Sequence, residues 1–226
     1  REAGLSSVTF VVPDRVSGPW LPAVLAGARR HRSGRAPRIL VALEARVVGA
    51  DGRLSLPAPP PGVNRLYVTL DGLPGDGSGR TPMELREAFE EGRTSAIEIV
   101  GRTVEVLRAT VRRNPGVVLS RPFALLAAVG IPEDWVGPTA LEDLARDARN
   151  SGAYLQVDEW ERTPRADAVR AFVKAGVPLL WGTGTRDAEG VGVYDYVRRL
   201  IRRVPGLAQT LTDGRGRGRG IKAVQG

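Results

Sequence analysis

The 226-residue chain has no cysteine, one histidine, one methionine and few aromatic residues. Without cysteine it can form no disulfide, thiolate metal site or cysteine nucleophile. Hydrolytic metal centres normally draw on several imidazoles. Here there is only His31, within the basic run Arg29-Arg30-His31-Arg32, which reads as a solvated helix end. With a single histidine there is no partner for Ser120 in a serine-type triad. No apolar run reaches the roughly 20 residues that a membrane helix needs, and no signal peptide is visible. A membrane partner is therefore not expected, and a cytoplasmic location is. Acidic residues are also in the minority, 25 against 33 basic ones, leaving a net charge of +8. That balance favours anionic partners, although an arginine-rich composition inflates it.

What the chain does have is alternation. Short β-branched runs at Val8–Val12, Arg38–Leu43, Arg65–Leu70, Gly116–Leu119, Ala153–Val157 and Leu179–Trp181 read as strands. Between them lie amphipathic stretches at Leu21–Arg32, Pro82–Arg113 with a break near Gly92, Leu141–Ser151, Ala166–Ala175 and Asp195–Arg203. Such repetition predicts an α/β fold with a parallel sheet, either closed into a barrel or open and doubly wound. Asp51-Gly52 between Val47-Val48 and Leu54 marks a hairpin inserted after a strand, and Pro57–Pro61 a stiff connector. Residues 1–206 are expected to form one domain. Residues 207–226 are expected to form a disordered tail rich in glycine and arginine. Arg1-Glu2-Ala3-Gly4 reads as the end of a helix entering a strand, so a strand and helix are expected upstream.

Several short motifs sit where these strands end. Val8–Val12 leads into Pro13-Asp14-Arg15, and Leu40–Leu43 into Glu44, with the Asp51-Gly52 hairpin following. Later strands run into Asp71, into Ser120-Arg121-Pro122, through Gln156-Val157-Asp158, and into Gly182-Thr183-Gly184-Thr185-Arg186. In order and spacing this resembles the polymerase-and-histidinol-phosphatase (PHP) family from Gly4 to about Arg203. The resemblance implies a distorted (β/α)7-type barrel with parallel strands and outer helices. It also implies that the family's metal-binding histidines are replaced by Arg15, Asp71, Arg121 and Arg186. Of the other ligands, the late glutamate becomes Gln156 and the last aspartate Gly184. Glu44 alone persists, with Asp14 beside it.

Arginine stays protonated and cannot give a lone pair to a metal. No catalytic residue, metal or cofactor is therefore expected. The expected function is a non-catalytic PHP-like scaffold or interaction module. Asp14, Arg15, Glu44, Asp71, Arg121, Gln156 and Arg186 would either form internal salt bridges or line an anion pocket, and salt bridges are the reading placed first. The alternative is a metal-dependent phosphoesterase completed by a missing N-terminal segment. An unknown anionic ligand or a protein is the expected partner. Arg215, Arg217 and Arg219 in the tail offer sequence-independent contact with nucleic acid, against which stands a plain solubilising terminus. Asp158, Glu159 and Glu161 read as a solvated acidic loop facing the arginines. The glycines at 182 and 184 lack the lysine of a phosphate-cradling loop, and Gly75–Gly79 reads as a surface loop.

Overall fold

The structure is a computed structural model that describes residues 7–13, 20–30, 38–75, 79–184 and 193–210. The six expected strands form: β1 (Ser7–Pro13), β2 (Arg38–Arg46), β3 (Arg65–Thr69), β4 (Val118–Leu119), β5 (Tyr154–Asp158) and β6 (Leu179–Gly182). They pair in sequence order and all in parallel, as a curled half-barrel with helices around it.

Alternation along each strand builds two unlike faces. Val41, Leu43 and Ala45 of β2, Leu66 and Val68 of β3, Leu119 of β4, and Leu155 and Val157 of β5 point outward into the main core. The helices cover that face: α1 (Leu21–Arg30), α2 (Pro82–Glu90), α3 (Ala96–Arg113), α4 (Ala124–Val129), α5 (Pro138–Asn150), α6 (Ala166–Lys174), α7 (Asp195–Arg203) and α8 (Leu207–Thr210). α5 packs against α3 on one side and α6 on the other. The opposite face carries a smaller apolar cluster of Ala42, Tyr67, Val118 and Leu180, with Tyr154 beside it.

Local chemistry explains the breaks. Between α2 and α3 the chain turns at Gly92, where φ is +70°, and re-enters helix under the Ser95 cap. α2 starts in a capping box, in which the Thr81 hydroxyl accepts the Glu84 N–H and the Glu84 carboxylate accepts the Thr81 N–H. The expected hairpin closes as Val47 pairs antiparallel with Leu54. α4 was not anticipated from sequence, and neither was α8. Leu207 of α8 is buried, so the folded body extends through residues 207–210. Residues 211–226, and with them most of the expected tail, lie outside the described residues, as does His31.

Candidate functional site

On the inner face β2 to β5 carry polar residues toward their C-terminal ends. Ala42 is followed two residues on by Glu44, Tyr67 by Thr69, Val118 by Ser120, Tyr154 by Gln156 and then Asp158, and Leu180 by Gly182. The apolar half fills the interior. The polar half forms a rim of the kind on which βα-barrels carry their sites.

Glu44 sits within β2 and does not end it. It accepts a hydrogen bond from the Thr69 hydroxyl at 3.3 Å and lies 3.6 Å from the Arg121 guanidinium. A second nitrogen of Arg121 lies 3.9 Å from Glu161. Arg121 thus bridges the end of β2 and the connection after β5. Its backbone is in the left-handed region, φ +46°, where a side chain costs on the order of 1 kcal/mol. Gln156 is buried and accepts the Ser120 hydroxyl proton. Its side-chain oxygen is thereby engaged within the protein. Its amide also lies so close to Gly182 that a Cβ there would overlap it.

The segment after β5 is only in part the solvated acidic loop expected from sequence: Glu161 is exposed and faces Arg121, whereas Asp158 and Glu159 are tied into the fold. Asp158 is buried, and its carboxylate accepts the Glu161 N–H at 2.9 Å. Burial raises its pKa above the ordinary 3.8, opposed by that hydrogen bond and by the Arg121 charge. Glu159 turns away from the rim and accepts the N–H groups of Tyr196 and Val197 at the start of α7. Glu133 does the same for Arg165 and also accepts from the Thr163 hydroxyl. Burial raises the Glu133 pKa as well. Trp160, between these residues, is 75% exposed, and Trp135 is exposed on the short 3-10 turn after α4.

The raised Asp158 pKa has a definite sign in stability. Its contribution is fully present below 3.8 and is lost as pH rises through the higher folded value. Asp158→Asn keeps an acceptor for the Glu161 N–H and removes the charge. Urea unfolding of this variant should show a weaker decline in stability, relative to wild type, from acid toward neutral pH. Parallel stability–pH curves would contradict the assignment.

Of the positions expected to converge, the structure brings Glu44 and Arg121 together and places Gln156 on the same face. Asp71 is exposed. Asp14, Arg15 and Arg186 lie outside the described residues. Thr69, Ser120 and the capping role of Glu159 were missed, because their roles depend on long-range register. No His/Cys/Asp/Glu group able to hold a metal ion occurs among the described residues. No helix among them is long and apolar enough to cross a membrane.

No protein-family model and no curated protein matches this chain. A cavity of about 10 Å³ lies toward the other end of the inner face, lined by Thr9, Leu40, Asn64, Arg65 and Tyr67. It is about the size of one water molecule. Beside it, Arg65 stacks over the Tyr154 ring at 3.7 Å.

Proposed function

We propose that the chain is a non-catalytic barrel domain of the PHP kind, a degenerate (β/α)7-type barrel that serves as a scaffold or interaction module. The observation that carries this reading is Arg121. Its guanidinium lies within 4 Å of carboxylates from two separate rim segments, Glu44 and Glu161. A cation fixed there by the chain compensates carboxylates that would otherwise attract a divalent metal, and it repels such an ion. Across the β4–β5 pair the buried Ser120 hydroxyl donates to the Gln156 side-chain oxygen, a neutral contact at this part of the rim. Exposed Trp135 and Trp160 on the rim connections support the interaction role, since tryptophan is enriched where protein surfaces dock.

A phosphoesterase assay tests this directly. With manganese or zinc added, the protein should hydrolyse bis-p-nitrophenyl phosphate no faster than buffer containing the metal. Turnover that disappears in Glu44→Ala would overturn the reading and restore an enzymatic one.

A further inference from the structure

β3 begins with a charged residue on the inner face. Arg65 stands two positions before Tyr67 and so shares its side of the sheet. Its guanidinium lies 3.7 Å from the centroid of the Tyr154 ring, and its Nη1 is buried with no hydrogen-bond partner among the described residues. Nor does any carboxylate among them come within ion-pair distance of it. At the rim, by comparison, Arg121 has two carboxylates within 4 Å. A buried donor on a charged group is costly unless an acceptor meets it.

Arg65 lines the cavity of about 10 Å³ at this end of the sheet, and the other polar groups around that cavity also have donors to spare. Asn64 Oδ1 already accepts the Val41 N–H at 3.1 Å, while its NH2 group remains. Tyr67 and Thr9 share a hydrogen bond between their side chains, which uses one of two O–H groups and leaves the other. Leu40, Ala42 and Leu180 complete the walls, and no lining residue is acidic. A water molecule brings two hydrogens of its own that need acceptors, whereas a monatomic anion only accepts. The size of the cavity admits one particle about as large as water, which excludes phosphate, sulfate and carboxylates.

We propose that this cavity is a halide site, in which chloride accepts hydrogen bonds from Arg65, Asn64 and the Thr9–Tyr67 hydroxyl pair. The ion balances the Arg65 charge through charge-assisted hydrogen bonds. It also fastens three strands at the base of the sheet. Thr9 lies on β1, Arg65 and Tyr67 lie on β3, and Asn64 is bonded in both directions to Val41 of β2.

Chloride NMR tests this, because exchange with a protein site broadens the line of the free ion. The wild-type chain should broaden the chloride line. Bromide should reverse the broadening, and acetate, too large for the cavity, should not. Chloride should also raise the wild-type melting temperature above that in acetate at equal ionic strength. Arg65→Met should lose both effects. Should that variant fail to fold, Tyr67→Phe, which removes one hydroxyl donor, should weaken chloride binding about tenfold. Four results would overturn the proposal. They are no chloride broadening by the wild type, reversal by acetate as strong as by bromide, a folded Arg65→Met variant with the wild-type response, and unchanged affinity in Tyr67→Phe.

Discussion

Arg121→Glu should destabilise the protein at neutral pH by about 2–3 kcal/mol and convert the rim into a place where divalent cations bind. In the wild type the guanidinium lies 3.6 Å from Glu44 and 3.9 Å from Glu161, and its charge also lowers the pKa of buried Asp158. The replacement removes the compensating cation and adds a carboxylate to the same space. The estimate lies below the 3–5 kcal/mol typical of breaking a buried pair, because the Arg121 side chain is about a third exposed. The pH dependence has a clear sign. Mutual repulsion raises the carboxyl pKa values in the folded state above the unfolded values of about 4. Stability is then retained below pH 4 and lost as pH rises through the folded values. Manganese should raise the melting temperature of the variant and leave the wild type unchanged. A variant as stable as wild type at pH 7, with no response to manganese, would mean that Arg121 does not hold these carboxylates together.

Gly52→Ala should cost at least about 3 kcal/mol, for a steric reason. Gly52 lies at the tip of the hairpin that follows β2, with φ +81°. A Cβ there would stand 2.5 Å from the backbone of Ala109 and Thr110 in α3, which cannot yield as a flexible side chain would. The hairpin is fastened at the same point, where the Asn114 amide donates to the Gly52 carbonyl at 2.8 Å and Arg113 pairs with Asp51. Gly92→Ala separates the two causes. Gly92 also has positive φ, +70°, but nothing lies within 4 Å of its would-be Cβ. That substitution should cost only about 1 kcal/mol, the conformational part alone. Equal losses at the two positions would show that the hairpin does not press on α3. Denaturant unfolding of both variants decides the point.

The parallel α/β architecture was legible because, apart from the hairpin connection between β2 and β3, strands alternate with amphipathic helices, and the glycines after the helices mark their ends. The hairpin was equally legible from Asp51-Gly52. α4 was not, because Ala-Leu-Leu-Ala-Ala-Val has no polar face and so no helical period to detect. α8 follows a proline and a glycine and is only four residues long, so it merged with the tail. At the rim, strand ends could be read in one dimension but their pairing could not. Glu44 and Arg121 are 77 positions apart, and only the curl of the sheet brings them together. Glu159 looked like one more solvated carboxylate, whereas its partners are amides of a helix that starts 36 residues later.

The most direct test of a rim closed by its own arginine is the metal content of the purified protein, measured by elemental mass spectrometry after dialysis against manganese and zinc and then against metal-free buffer. Substoichiometric metal, well below one ion per chain, is the predicted result. Stoichiometric metal that disappears in Glu44→Ala would contradict the account, because Glu44 would then be a ligand and not a partner of Arg121.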